Sequence, residues 1–264
     1  MSATKELTVG NPLPLIIKFA LPLLLGNMLQ QTYSMVDAAI VGRTLGINAL
    51  AAVGASTSVV FLILGFCNGC CGGFAIPIAQ KFGARDYSVM RSYIHNAFKL
   101  AWIMSLLLAV ITSLLCGFIL HTMRTPDIIY DGAYAYLLAT FIGIPATFFY
   151  NLLSCVIRAL GDSKTPFWFL LLASVLNIGL DLLFILTFQW GVTGAAVATV
   201  LSQAVSAILC YMYMQRKYDI LQSTPAERCL NARAIRTLLG VGVPMGLQLS
   251  LIHISEPTRL QLIS

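Results

Sequence analysis

The sequence predicts an all-α integral membrane protein, and three observations support this fold class. Of its 264 residues, 58% are apolar and only 10% are charged, whereas roughly 25% of the residues in a soluble domain carry a charge. The mean hydropathy is +0.85, and the apolar residues are gathered into stretches long enough for a helix to cross a bilayer. A soluble globular protein could not cover its surface with so few charges, and a disordered chain would be far more polar.

Six apolar stretches follow one another along the chain, and each predicts a transmembrane helix. They cover residues 13–38, 49–78, 90–120, 128–152, 165–188 and 193–215. A seventh stretch begins near Ala234 and reaches Gln248. The first stretch is not a cleavable signal peptide, because it is long, contains Lys18 and Pro22, and leads into Asp37 where a signal peptide would have small residues for cleavage.

The lysines and arginines lie mainly on one side of this arrangement. With a cytoplasmic N-terminus, the cytoplasmic side holds thirteen of them, namely Lys5, Lys18, Lys81, Arg85, Arg91, Lys99, Arg158, Lys164, Arg216, Lys217, Arg228, Arg233 and Arg236. The outer side holds Arg43 and Arg124. Because cytoplasmic loops carry an excess of basic residues, we expect the N-terminus to be cytoplasmic. The net charge of +6 therefore indicates membrane topology, and we expect no nucleic-acid partner.

The composition divides the chain into four segments. We expect six transmembrane helices in residues 1–215, a polar cytoplasmic linker in residues 216–233 and the start of a seventh helix in residues 234–248. Residues 249–264 do not fit this pattern, since residues 249–259 (LSLIHISEPTR) look like the conceptual translation of a transposase adaptor used in sequencing libraries. We expect this last segment to be non-native read-through, so His253 and Glu256 receive no functional role.

Two acidic residues lie inside predicted helices, where an ionisable side chain costs roughly 2.5–3.5 kcal/mol to insert. Asp37 is near the outer end of the first helix, and Asp181 is deep in the fifth. A neutral asparagine could join two helices by hydrogen bonds at a lower insertion cost. A buried carboxyl group that can ionise is what proton or sodium coupling requires, and the two acids therefore predict an ion-coupled transporter.

Polar side chains accompany the acids at helical spacing. They are Asn27, Gln30, Gln31 and Ser34 on the first helix, Tyr134 and Tyr136 on the fourth, Asn177 on the fifth, and Thr199, Ser202, Gln203 and Ser206 on the sixth. Lipid cannot satisfy such groups, so we expect them to converge on the bundle interior or on a water-filled cavity. For the last three residues on the sixth helix, hydrogen bonds between helices are an equally good interpretation.

Prolines and glycines mark positions where these helices can bend or pack closely. Pro22 and Pro145 each remove a hydrogen bond inside a helix and permit a kink. Gly65, Gly69 and Gly73 recur every four residues, which predicts a close-packing face on the second helix.

The spacing of Cys67, Cys70 and Cys71 is similar to that of some metal ligands. No histidine or further cysteine lies near them in the sequence, so we interpret them as small packing residues. We expect no disulfide framework, because six of the seven cysteines lie in apolar segments.

Several segments resemble the multidrug and toxic compound extrusion (MATE) family. Val36-Asp37, with residues 41–43 (VGR) and 49–54 (ALAAVG), is similar to the first two helices of that family. Residues 158–166 (RALGDSKTP) resemble its loop between helices four and five. Helices five and six are matched by residues 177–185 (NIGLDLLFI) and 191–199 (GVTGAAVAT). These matches keep their order from about Asn11 to Gln248, so they extend over most of the chain.

The resemblance implies a two-lobe transporter of twelve helices, of which this chain would hold the six-helix N-terminal lobe and the start of helix seven. The C-lobe would be missing. It further implies a multi-pass protein of the bacterial inner membrane that exports organic cations and other drugs in exchange for Na⁺ or H⁺, without enzymatic activity or a cofactor.

The resemblance also assigns roles to residues of this sequence. The coupling site would fall on Asp37, Asn177 and Asp181, where Na⁺ would bind, with Tyr136 and Thr199 as hydrogen-bonding neighbours. From the polar stripes themselves, we expect the substrate cavity to be lined by Asn27, Gln30, Gln31, Ser34 and Gln203, and we expect the first helix to bend near Pro22.

Three other functions are open to a chain of this composition. A lipid-linked oligosaccharide flippase of the same superfamily would line its cavity with several basic residues to meet pyrophosphate, and we find none in mid-span. A membrane scaffold without transport activity would need no buried acids. An enzyme is disfavoured because no GxSxG, HExxH or Walker motif is present, and His95 and His121 lie near span ends.

Overall fold

The computed structural model describes residues 12–221, 227 and 229–261, with side chains described between Leu13 and Leu251. Lys5 and Arg228 lie outside the described residues, as do the side chains of His253, Glu256 and Arg259. Every regular element in the described part is helical. This confirms the all-α fold class.

The helices are long, and most are continuous across the span. They are α1 (Pro12–Leu45), α2 (Ile47–Gly83), α3 (Tyr87–Thr122), α4 (Asp127–Ile142), α5 (Ile144–Ala159), α6 (Lys164–Leu182), α7 (Val192–Lys217) and α8 (Ala232–Gln261). A π-helical turn, Leu183–Thr187, continues α6, and a 3₁₀ turn, Asp219–Leu221, follows α7.

Six of these helices are individually long and apolar enough to cross a bilayer, and α4 and α5 together meet the same criterion, which makes seven spans when this bent pair is taken as one. The protein is therefore a multi-pass membrane protein, with the order of spans that the sequence predicts. α8 is helical through Gln261 and so continues into the segment expected to be read-through.

The fourth span is bent by 49° between Ile142 and Ile144. Pro145 stands at the start of α5, where its missing N–H removes no hydrogen bond from its own helix. Gly143, two residues before Pro145, packs against Val200 of α7 so closely that a Cβ atom at this position would overlap the valine side chain. The fourth span is thus bent next to Pro145, as expected, but the expected loss of a hydrogen bond inside a helix was wrong, because Pro145 lies in the first turn of α5. Pro22, by contrast, lies within an unbroken α1.

Helix α2 lies at the centre of the bundle and packs chiefly against α8, α5, α4 and α3. Gly69 and Gly73 contact the backbone of α8. A Cβ at Gly69 would lie 2.5 Å from the Cα of Gly246, and a Cβ at Gly73 would lie 2.5 Å from the Cα of Gly242. The close-packing face is therefore confirmed at these two positions. It was wrong for Gly65, which has no other group within 4 Å of a Cβ position, because Gly65 faces the cavity described below and not α8.

One end of the bundle is rich in basic residues, and we call it the basic end: here α2 joins α3, α5 joins α6, and α7 ends. Arg91 forms an ion pair with Glu227 at 2.7 Å, and Asn96 accepts a hydrogen bond from the backbone N–H of Asn231 at 3.1 Å. These contacts hold the described part of the segment between α7 and α8 against α3.

Candidate functional site

A cavity of about 910 Å³ opens between α1, α2, the α4–α5 pair, α6 and α7. Its volume is in the range of small-molecule sites. The polar face of α1 forms one wall of the cavity, and a face of α7 forms another. All five residues expected to face the substrate line this cavity, namely Asn27, Gln30, Gln31, Ser34 and Gln203. Pro22 also lines it, one helical turn before Gly26.

Asp37 of α1 and Asp181 of α6 are direct neighbours, and their carboxyl groups are close enough to share a hydrogen bond. Asp181 is completely buried, whereas Asp37 is partly exposed and lines the cavity. In each residue the Oδ1 atom is buried and has no hydrogen-bond partner among the described residues. Two touching carboxylates in a desolvated site cannot both keep an uncompensated charge. The pair can therefore hold a proton or a cation.

Asn177 lies one turn before Asp181 and connects α6 to α7. With its amide oriented so that both atoms have partners, Nδ2 donates to Asp181 Oδ2 at 3.0 Å and Oδ1 accepts from the backbone N–H of Thr199 at 3.2 Å. The Thr199 hydroxyl is 3.1 Å from the same amide oxygen and also donates to the Ala195 carbonyl at 3.1 Å. This network fixes one oxygen of Asp181 and leaves the other facing Asp37.

Two tyrosines complete the wall around the acids. Tyr136 lines the cavity and lies within electrostatic range of both Asp37 and Asp181. Tyr33, which was not among the expected residues, also lines the cavity, and its hydroxyl lies near Thr199. The sequence does contain a signal for Tyr33, since it precedes Asp37 by one helical turn and so shares its face.

Tyr134 does not belong to this site. It is 37% exposed, and its ring stacks on Tyr130 with centroids 6.3 Å apart. Two residues separated by two positions in a helix differ in direction by about 200°, so Tyr134 and Tyr136 cannot face the same cavity. The expectation that both converge on it was wrong. Ser206, the last residue of the α7 stripe, is fully buried one turn beyond Ser202 and is not on the cavity wall.

The three clustered cysteines of α2 are buried at helix contacts. The Cys71 thiol donates to the Phe148 carbonyl of α5 at 3.6 Å, and Cys70 Sγ would lie 2.7 Å from a Cβ at Gly246. In the part of the chain that the structure describes, no three His, Cys, Asp or Glu side chains gather as metal ligands would. The residues expected to bind Na⁺ thus offer two carboxyl groups and an amide.

The basic end of the cavity contains residues that the sequence did not single out as ligands. Tyr150, Asn151, Ser154 and Arg158 of α5 all line it. Arg158 was expected only as a topological charge, yet it lies in the last turn of α5 and faces the cavity. The signal was present in the spacing, because positions 151, 154 and 158 fall on one helical face.

Comparison with known proteins finds one matching protein family. The MatE family model matches residues 22–183. A probable multidrug resistance protein of Bacillus subtilis, YpnP, is 35% identical over 247 residues, which cover 94% of this chain and 55% of the relative. The chain thus spans about half the length of the curated relatives it matches.

Two solved structures of MATE family transporters share the fold. An outward-facing conformation superposes with a TM-score of 0.86 at 26% identity and covers 94% of this chain and 56% of that one. An inward-facing conformation superposes with a TM-score of 0.78 at 27% identity and covers 85% of this chain and 51% of that one.

Proposed function

Because the chain belongs to the MatE family, we propose that it provides one lobe of a secondary transporter that exports organic cations and other drugs in exchange for H⁺ or Na⁺. The observation that carries this proposal is the contact between Asp37 and Asp181 at the wall of the cavity. The names of its relatives describe multidrug resistance proteins and transporters and no enzyme, which agrees with it.

The acid pair provides a place where a small cation and an organic cation compete. Asp37 is reached from the cavity, whereas Asp181 is buried behind it. When a proton or Na⁺ neutralises the pair, the cavity loses its negative charge and releases a cationic drug. When the small cation leaves, the restored charge attracts the next drug molecule. The two ligands are therefore exchanged and not carried together.

The hydrogen bonds around Asp181 affect whether the acid pair is better suited to H⁺ or to Na⁺. The Asn177 amide presents its N–H to Asp181 and its oxygen to Thr199, so the buried acceptors at the acids that lack a partner among the described residues are the two Oδ1 atoms. A single proton bridging two carboxyl groups suits this arrangement. Na⁺ would need further oxygen ligands, which a rotation of the Asn177 amide would supply.

Exchange also requires the cavity to open on alternate sides. We propose that α1 takes part by bending at Pro22, where the backbone lacks one internal hydrogen bond. In support, Pro22 lines the same cavity as Asp37, so a bend there would change the access of the drug. The related transporters are known in outward-facing and inward-facing conformations.

We place the protein in the bacterial inner membrane with a cytoplasmic N-terminus. Among the described residues, the basic end holds Lys18, Lys81, Arg85, Arg91, Lys99, Arg158, Lys164, Arg216, Lys217, Arg233 and Arg236. The opposite end holds Arg43 and Arg124. This asymmetry supports a cytoplasmic basic end.

The test is export of a cationic dye from cells that express the full-length gene product. We expect Asp37→Asn and Asp181→Asn each to reduce export to the level of cells without the protein. Asp131→Asn, which changes an exposed acid of α4, is the matched control and retains export. Export unchanged by either cavity substitution would refute the coupling role and favour the scaffold function. Proteoliposomes with separate H⁺ and Na⁺ gradients then identify the ion.

A further inference from the structure

We propose that Arg158 and the hydroxyl groups beside it form an anion subsite at the basic end of the cavity, which binds a carboxylate or phosphate group of the transported molecule. The inference rests on the proposed function, since it takes the occupant of the cavity to be the transported molecule. It adds a substrate class, molecules that carry an oxyanion together with a cationic group.

Arg158 has an unused capacity to donate hydrogen bonds. Its Nη2 atom donates to the Cys155 thiol at 3.1 Å, and sulfur is a weak acceptor. Among the described residues, the ion pairs within 4.0 Å are Lys81–Asp86 and Arg91–Glu227, and neither involves Arg158. A guanidinium has five N–H donors, so most of those on Arg158 have no strong acceptor in this part of the protein.

The acid that follows Arg158 by one helical turn is already engaged. Asp162 accepts hydrogen bonds from the backbone N–H groups of Lys164 and Thr165, from the Thr165 hydroxyl and from the Tyr218 hydroxyl, at 2.7–3.1 Å. Its carboxylate is therefore committed to the turn that begins α6, and Asp162 does not line the cavity.

A second observation points to a ligand at the same place. Ser154 lies one turn before Arg158, lines the cavity and is only 4% exposed, yet its Oγ atom makes no hydrogen bond to the described residues. The Tyr150 hydroxyl is a neighbour of Ser154 and lies within electrostatic range of Arg158. A guanidinium and two hydroxyls thus face one region, and all three can donate to an oxyanion.

These hydrogen-bond donors favour a carboxylate or a phosphate as the ligand. The planar fork of a guanidinium matches the oxygens of a carboxylate or a phosphate, and hydrogen bonds between charged groups are about twice as strong as neutral ones. An unpaired arginine facing a membrane cavity is unfavourable, which favours its neutralisation by a bound anion. Asp37 and Asp181 lie toward the opposite end of the cavity. A molecule with one charge of each sign would therefore be held at both ends.

Two dyes that differ in one functional group test this subsite. Rhodamine 123 is the methyl ester of rhodamine 110, whose free carboxylate provides the oxyanion. We expect the full-length gene product, purified in phosphatidylcholine nanodiscs, to bind both dyes. Arg158→Gln should weaken the binding of rhodamine 110 by about tenfold or more, with rhodamine 123 unaffected. Ser154→Ala should give a smaller loss in the same direction, and Arg158→Lys an intermediate one.

The control is Arg216→Gln, which removes an exposed arginine at the same end that does not line the cavity. It should leave both affinities unchanged. Equal losses for the two dyes in Arg158→Gln, or no loss for either, would overturn the inference while leaving the proposed function intact. Binding of phosphatidylglycerol is measured separately, in nanodiscs that contain this lipid. If Arg158→Gln loses phosphatidylglycerol binding while both dye affinities stay unchanged, Arg158 binds a lipid headgroup, and the inference is also overturned. If the unaltered protein binds neither dye, both proposals fail.

Discussion

The phenol hydroxyl of Tyr218 donates a 2.8 Å hydrogen bond to Asp162 Oδ2. Asp162 lies in the turn between α5 and α6, and Tyr218 directly follows α7, so this bond ties three helices together at the basic end. Burial acts to raise the pKa of Asp162, but hydrogen bonds from Thr165, Tyr218 and Lys164 outweigh it, and the pKa lies below its ordinary value.

This lowered pKa predicts a loss of stability in acid. A carboxyl group whose pKa is lower in the folded state contributes stability above its unfolded pKa and loses it as the pH falls through the folded value. We expect thermal stability in detergent to fall below about pH 4, and to fall less steeply in Asp162→Asn. Asp219→Asn, an exposed acid at the same end, serves as the control. Identical pH profiles for Asp162→Asn and the unaltered protein would contradict the assignment.

Removal of the phenol hydroxyl alone gives a second prediction. Tyr218 is 2% exposed, so Tyr218→Phe keeps the packed ring and removes only the donor to Asp162. A hydrogen bond to a charged group contributes about 1.5–3 kcal/mol, and the remaining donors to Asp162 place the expected loss of unfolding free energy at the lower end of that range. Thermal unfolding at neutral pH measures it. Tyr211→Phe, on an exposed tyrosine of α7, should leave stability unchanged.

The contact of α2 with α8 predicts opposite effects for two glycines of one helix. A Cβ at Gly69 would lie 2.5 Å from Gly246 Cα and 2.6 Å from the Met245 carbonyl, and neither backbone can move alone. We expect Gly69→Ala to destabilise the protein by about 1–3 kcal/mol. Gly65→Ala meets no atom within 4 Å and should be neutral or stabilising, because alanine favours the helix. Unfolding temperatures of the two variants compare them directly, and equal effects would disprove the close contact.

The bend in the fourth span depends on close packing at its corner. Any Cβ at Gly143 would overlap the side chain of Val200, so we expect Gly143→Ala to cost about 1–3 kcal/mol of unfolding free energy. Val200→Ala opens space at the same point. The double variant Gly143→Ala/Val200→Ala should therefore be more stable than the sum of the two single changes predicts. Additive losses in a double-mutant cycle would show that the valine is not the obstacle.

The general arrangement of spans and much of the cavity wall could be predicted from the sequence. Insertion of a charge into a bilayer is costly enough that Asp37 and Asp181 stood out without any structure. Helical periodicity then selected the polar neighbours of Asp37 on α1. Both rules are local, since they depend on one helix and its solvent.

Features that depend on how two helices approach each other could not be predicted in the same way. Gly65 repeats the spacing of Gly69 and Gly73, but it faces the cavity, whereas the other two glycines face α8. Arg158 shares a helical face with Asn151 and Ser154, but the sequence does not show that this face is turned toward the cavity, because that depends on the direction of α5 after its bend. Tyr33 was not predicted, because a tyrosine in an apolar helix can also be a packing residue without a functional role.

The contacts of Asn177 lead to a prediction that separates binding from coupling. Asn177 is 1% exposed and does not line the cavity, so it should not contact the drug. Its amide fixes one oxygen of Asp181 and receives the backbone N–H of Thr199. In Asn177→Ala we expect Asp181 to lose this donor, so that gradient-driven dye export by proteoliposomes falls sharply while dye binding is retained. Thr199→Val keeps the backbone N–H and should have the smaller effect. If proteoliposomes that contain Asn177→Ala export the dye at the rate of the unaltered protein, the amide has no part in coupling and Asp181 acts without it.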